Sequence, residues 1–190
     1  MIKLVVGLGN PGRQYEGTRH NVGFWFVDEL AFRFRADWRM NKRCNAQIAQ
    51  IKISENDVML MKPLTFMNNS GASVSACVCY HQLCAENVLV VHDELDFLPG
   101  IVRFKKGGGH AGHNGLRDIV ARLGVNNFLR LRIGIGRPMG RQLVADFVLS
   151  SPNCDDRQVI RDAYEKILVK FDLLFENNLD RALSELHAKQ

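Results

Sequence analysis

The sequence predicts a single-domain α/β protein over residues 1–190: three layers, α/β/α, around a twisted, mixed but mostly parallel sheet. Three observations carry that expectation. Short β-branched apolar runs alternate along the chain with stretches whose apolar residues recur at helical spacing, the order produced by strands joined through crossover helices. One early pair of strand-like runs is separated only by a polar turn, which puts an antiparallel hairpin into the sheet. A chain of 190 residues with 46% hydrophobic and 24% charged content can bury one sizeable core and still carry an ordinary solvated surface.

Taken in order, the strand candidates are Lys3–Gly7, Ala46–Ile53, Val58–Lys62, Val88–His92, Ile101–Phe104 and Leu129–Ile135. The hairpin turns at Ser54-Glu55-Asn56-Asp57. Helices are expected over Val22–Arg35, Ser70–His81, Leu116–Leu123, Asp156–Phe175 and Leu179–His187. In the long fourth helix Ile160, Ala163, Ile167, Phe171 and Leu174 form a core stripe. The apolar run after Met1 is too short for a secretory signal, and no stretch reaches the ~20 apolar residues needed to cross a bilayer. Five cysteines without a secretory signal read as reduced thiols, so a cytoplasmic protein is expected.

Gly7-Leu8-Gly9-Asn10-Pro11-Gly12 fits the glycine pattern of a dinucleotide-binding loop. That chemistry needs a strand, a helix opening on the loop, and an acidic residue at the tip of a second strand. Only the strand is present: Pro11-Gly12 is a turn signal, Arg13–His20 has no apolar period, and Asp28 and Glu29 fall inside a helix. No nucleotide cofactor is therefore expected. Cys77, His81 and Cys84 share one helix face with Cys79 pointing elsewhere, a poor source of tetrahedral zinc ligands, so no metal is expected either.

In sheets of this kind ligands settle beyond the carboxyl ends of the strands. The stretches there carry Asn10, Tyr15, His20 and Asn21; Pro63 to Gly71; His92-Asp93-Glu94; and Lys105 to Gly115 with His110 and His113. Amides, imidazoles and a carboxylate make up a hydrolytic acid–base inventory without a strong nucleophile. Gly71-Ala72-Ser73-Val74-Ser75 lacks the second glycine of a nucleophile elbow. Water is then the nucleophile and histidine its base. His20 stands just before a helix whose positive end disfavours the imidazolium, and Asp93, at a strand end, is placed to push the other way and fix the tautomer. The +5 net charge is uneven as well. Between Ile101 and Arg141 nine basic residues face Asp118 alone, a local surplus of eight, and the rest of the chain is net −3. A polyanion such as the phosphates of a nucleic acid suits that segment.

Gly7–Gly12 with Tyr15 and Thr18–Gly23, Pro63–Gly71, His92–Asp96, Gly107–Leu116 and Arg130–Pro138 occur in one order, and together they resemble the signature blocks of bacterial-type peptidyl-tRNA hydrolases. The resemblance implies a metal-free, cofactor-free cytosolic monomer. Such an enzyme cleaves the ester between a peptide and the 3′ ribose of tRNA, engaging the acceptor stem, the 3′ end and the 5′ phosphate. Position by position it implies His20 as base, Asp93 as its orienting carboxylate, and Asn10 as the residue that distinguishes a blocked peptidyl group. Tyr15, Phe66, Asn68 and Asn114 would contact the substrate end, Met67 and His113 would line the cleft, and Lys105 and Arg132 would clamp the 5′ phosphate. The oxyanion donor stays open between Asn68, Asn114 and main-chain N–H groups near Gly109–Gly112, and His110 and His113 remain open between acid, anchor and phosphate contact. Met139 to Asp146 is a looser match to the family's mobile lid. Two rival readings are an RNA-binding protein of the same fold without hydrolysis and a nucleotide-cofactor enzyme.

Overall fold

The computed structural model describes residues 1–175 and 179–187. Seven strands form one sheet: β1 (Leu4–Gly7), β2 (Arg39–Asn41), β3 (Ala46–Ile53), β4 (Asn56–Pro63), β5 (Val88–Glu94), β6 (Val102–Lys106) and β7 (Leu129–Gly134). Their spatial order is β2-β3-β4-β1-β5-β7-β6. The four central strands are parallel, with Val5 aligned to Leu60 and Leu89, and Val91 to Leu131. Both margins are antiparallel, β2-β3-β4 on one side and β6 against β7 on the other. The early hairpin was expected; the antiparallel β6 was not, because no hairpin signal joins it to β7.

Because side chains alternate across a strand, the central strands feed two cores. One face sets Val5, Leu60, Leu89 and Val91 against α1 (Val22–Arg33) and α5 (Cys154–Leu168), through Phe26, Leu30, Ile160 and Ile167. The other sets Leu4, Val6, Met61 and Val90 against α2 (Ser70–Tyr80) and α3 (Asn114–Leu123), through Val74, Cys77, Leu116 and Ile119. The expected three layers are these. α4 (Val144–Val148) lies at the carboxyl edge of the sheet and α6 spans Leu179–His187. The predicted domain runs on to Gln190, but residues 188–190 lie outside the described residues.

Several boundaries differ from expectation. The hairpin needs only Ser54 and Glu55, because Ile53 pairs directly with Asn56 and Ser54 takes the left-handed backbone. The helix expected over Asp156–Phe175 stops at Leu168, and the chain tightens into a 3₁₀ turn over Phe171–Phe175. Phe171 and Leu174 are buried all the same, which is why apolar spacing alone did not reveal the break.

The glycines after β1 bind no nucleotide-style helix. Short 3₁₀ turns at Arg13–Tyr15 and Arg19–Asn21 come first, and α1 begins only at Val22. The glycines serve contact between backbones. A Cβ on Gly7 would fall on the Gly23 carbonyl, and one on Gly23 would fall on Val91 O and on Leu8 N and O. Two residues without side chains thus let the amino end of α1 rest directly on the ends of β1 and β5, carrying His20 toward Asp93.

Candidate active site

His20 lies in the 3₁₀ turn before α1 and Asp93 near the end of β5. Close packing at Gly23 makes these neighbours, and His20 Nδ1 is 2.8 Å from Asp93 Oδ1. A second imidazole meets the same oxygen: His113 Nε2 lies 2.9 Å from Asp93 Oδ1. Both ends of this arrangement are fixed. His113 is the N-cap of α3, and its Nδ1 accepts from the main-chain N–H groups of Gly115 at 3.2 Å and Leu116 at 3.3 Å. Main-chain N–H groups can only donate, so Nδ1 is bare and the His113 proton sits on Nε2, directed at Asp93.

The electrostatics follow from burial and pairing. Burial alone would lower the pKa of His20, but the charge of Asp93 and the hydrogen bond to it hold it above the ordinary imidazole value. Burial would raise Asp93, yet the His20 and His113 imidazoles and their N–H donors keep it well below the usual carboxylate range. His92 behaves in the opposite way. Buried, close to His113, and with Nδ1 donating to its neighbour's carbonyl Asp93 O at 2.7 Å, it is pushed down to about 3 and stays neutral. Its Nε2 is buried without a hydrogen-bond partner among the described residues.

His20, Asp93, His92 and His113 line a cavity of about 540 Å³ beyond the carboxyl ends of the parallel strands. Asn114, Lys105 and Arg132 share its wall, and Val144, Ala145 and Val148 of α4 roof it. Asn10, Tyr15, Phe66, Met67 and Asn68 do not line it; they form an adjoining cluster. Asn10 Oδ1 accepts from Met67 N at 2.7 Å, and the Tyr15 and Phe66 rings meet edge to face at 6.2 Å. Gly115 joins the two regions, since a Cβ there would stand 2.6 Å from Met67 Sδ and 3.2 Å from His113 Cε1. The Asn10 main chain is fastened to the residue after His20, with Asn10 N donating to Asn21 Oδ1 at 2.8 Å and Asn21 Nδ2 donating to Asn10 O at 3.0 Å.

The basic segment needs a correction. Arg103 is aligned with Arg132 and Lys105 with Arg130, so all four side chains emerge on one face of the β6–β7 pair. Arg130 is buried, however, and its guanidinium donates to Gly108 O and Gly109 O at 2.7 Å each. It shapes the glycine loop and offers little to an outside anion. Arg137 pairs with Asp96, and Arg122 with Asp118 and Asn69. Arg132 stacks 4.6 Å from the Phe97 ring with Glu94 at 3.8 Å, and Lys105 is exposed.

Three groups were given no role of their own by the sequence. Asn21 clips the Asn10 backbone as just described. His92 contributes a neutral imidazole to the cavity. Arg19 is largely buried; its Nη1 donates to Ser150 Oγ at 2.7 Å and Ser151 O at 2.9 Å, and its guanidinium lies 4.3 Å from the Phe147 ring of α4. Arg19, the residue before His20, therefore bolts down the cavity roof. All three lie inside the Thr18–Gly23 and His92–Asp96 blocks, but nothing local in the sequence shows that Arg19 reaches Ser150.

His20, Asp93 and His113 offer three ligand atoms within 4.8 Å of one another, a spacing that a metal ion could use. The donor chemistry opposes it. A metal would need a bare His113 Nε2, and the α3 cap holds the proton there. The cysteine group is not a metal set either: Cys77 is buried in the α2 core, with burial pushing its thiol up to about 12, while Cys79 and Cys84 are exposed.

Comparison with known proteins places these features in a family. A family model described as peptidyl-tRNA hydrolase matches residues 4–190. The peptidyl-tRNA hydrolase of Methylococcus capsulatus is 51% identical over 187 residues, covering 98% of this chain and 100% of the relative. That of Neisseria gonorrhoeae is 47% identical over 188 residues, covering 99% and 98%. The crystal structure of peptidyl-tRNA hydrolase from Acinetobacter baumannii superposes with a TM-score of 0.94 at 42% identity, covering 98% of this chain and 95% of that one.

Proposed function

The chain belongs to the peptidyl-tRNA hydrolase family and is a carboxylic ester hydrolase acting on peptidyl-tRNA, and we propose that it does so with water activated by His20. The observation that carries this is the 2.8 Å contact between His20 Nδ1 and Asp93 Oδ1 on the wall of the cavity. With Nδ1–H given to Asp93, the lone pair of His20 resides on Nε2. That nitrogen takes a proton as water oxygen attacks the ester carbonyl carbon; collapse of the tetrahedral intermediate breaks the bond to the ribose 3′ oxygen, which leaves with the same proton. The products are a peptide carboxylic acid and tRNA with a free 3′ hydroxyl, which recycles tRNA from prematurely ended translation. An ester is electrophilic enough that no covalent enzyme intermediate is required.

Other groups take supporting roles. Met67 N–H occupies the Asn10 oxygen, so the Asn10 NH₂ is the end left to donate. A blocked peptidyl group has an amide carbonyl to receive it and a free aminoacyl group does not. The Asn114 amide, exposed at the start of α3 on the cavity wall and unbonded among the described residues, fits the developing oxyanion better than Gly112 N–H, which is given to His110 Nδ1. Tyr15, Phe66, Met67 and Asn68 would flank the peptide, and Lys105 with Arg132 would hold the 5′ phosphate. One chain supplies every group invoked, in keeping with a monomer. Among the described residues no helix is long and apolar enough to cross a membrane, and the reaction belongs in the cytoplasm, where peptidyl-tRNA arises.

The test is cleavage of an N-blocked aminoacyl-tRNA by the wild type and His20→Ala. The variant is expected to lose at least ~10²-fold in turnover while keeping nearly its full tRNA affinity. Retention of most of the activity would overturn the assignment of the base.

A further inference from the structure

We infer that His113 is a positioning residue for the reaction: it holds the Asp93 carboxylate with a proton whose location is fixed by the cap of α3, and it divides that carboxylate's hold on His20. The inference rests on His20 acting as the base. Asp93 Oδ1 receives two donors, His20 Nδ1 at 2.8 Å and His113 Nε2 at 2.9 Å, and the Asp93 side chain is only 3% exposed. Water cannot compete at that oxygen, so the two imidazoles share it. The His20 end is free to change protonation through its Nε2. The His113 end presents one tautomer, because its Nδ1 accepts from the N–H groups of Gly115 and Leu116.

Two consequences follow for catalysis. A carboxylate held by a permanent second donor keeps its orientation while His20 gains and loses its proton. It also stabilises the His20 imidazolium less than an undivided carboxylate would, which leaves more neutral base at a given pH. The surrounding charges give the same background in every variant. His92 and Glu94 on β5, Lys105 on β6 and Arg130 and Arg132 on β7 face this region, with His110 on the glycine loop. Asp96 and Arg137 pair with each other, and α4 contributes only apolar side chains to the wall.

Substitution with asparagine separates the two jobs of His113. Asparagine is among the best N-caps, so His113→Asn retains a cap for α3 while its shorter side chain loses Asp93. Expected are a melting temperature close to that of the wild type and an acid limb of kcat/KM moved to higher pH by about 0.5–1 unit, so that activity on the acid side falls several-fold more than at the plateau. His113→Ala is expected to show the same shift with lower thermal stability. Nitrogen-15 NMR of the wild-type imidazoles is expected to find His113 as the Nε2–H tautomer.

An unmoved acid limb in His113→Asn, a limb moved to lower pH, or a rise in KM alone would overturn the inference, as would an Nδ1–H tautomer. Failure of the base assignment is a separate result, read from an active His20→Ala.

Discussion

His20 and His92 are both buried imidazoles beside Asp93, and they titrate in opposite directions because of what each touches. His20 faces the carboxylate oxygen; His92 meets only the Asp93 main-chain carbonyl and stands against His113. Folded His92 therefore remains neutral well below pH 6.5, whereas the unfolded residue takes up a proton there. A depressed imidazole contributes stability that is fully present above its unfolded pKa and is lost as pH falls toward the folded value of about 3. From pH 6.5 to 5 this amounts to ~2 kcal/mol. The raised His20 gives only a small opposing slope near pH 6.5, where the unfolded residue is half protonated, and none further down, where both states are protonated. Urea unfolding of His92→Gln is expected to show a shallower loss of stability between pH 6.5 and 5 than the wild type; equal slopes would mean that His92 is not buried neutral. At this scale the sequence disclosed identities more readily than partners. His20 and Asp93 could be paired because a helix start and a strand end have predictable places in the sheet. The second role of His113 could not, because a histidine N-cap leaves no spacing pattern and the shared oxygen exists only after α3 docks.

Elements were legible wherever burial imposed a period. The central strands carry apolar runs buried on both faces, α1, α2 and α5 carry apolar residues on a repeating face, and their positions followed from these patterns. β2 is three residues long with Arg39 and Met40 exposed, and α4 is a five-residue turn of helix with one buried side chain; neither has a period to read. The packing of α1 onto the sheet depends on Gly7 and Gly23, whose importance lies in what is missing from them. Gly23→Ala puts intrinsic propensity against sterics. Alanine favours a helix by up to ~1 kcal/mol over glycine, but here its Cβ would meet main-chain atoms of Leu8 and Val91 that are held by the β1–β5 ladder. Overpacking against backbone that cannot yield is expected to win, with a net destabilisation of about 2 kcal/mol in chemical denaturation. A neutral or stabilised variant would show that α1 can lift from the sheet without loss.

For the whole molecule, net charge overstated the strength of the basic segment. The surplus between Ile101 and Arg141 includes Arg130, spent on loop carbonyls, and Arg122 and Arg137, spent on carboxylates. Sequence counts charge without showing where it is consumed. Lys105 and Arg132 remain on the cavity wall. Lys105→Ala with Arg132→Ala is expected to weaken tRNA binding and to reduce the slope of log K against log salt by ~1–2, about 0.7–0.9 for each phosphate left without its cation. Binding that keeps its full salt dependence while the chemical step slows would place the clamp elsewhere. Arg19 has a reach of a different sort, since it grips Ser150, 131 residues further along the polypeptide. Every polar side chain assigned to chemistry or phosphate binding comes from residue 132 or earlier, whereas the roof and the groups that Arg19 grips come from residues 144–151. Synthesis thus delivers the reactive groups before their cover. A nascent chain halted before Ser150 carries the residues of the centre but neither the fastening of its roof nor α5, which closes one core.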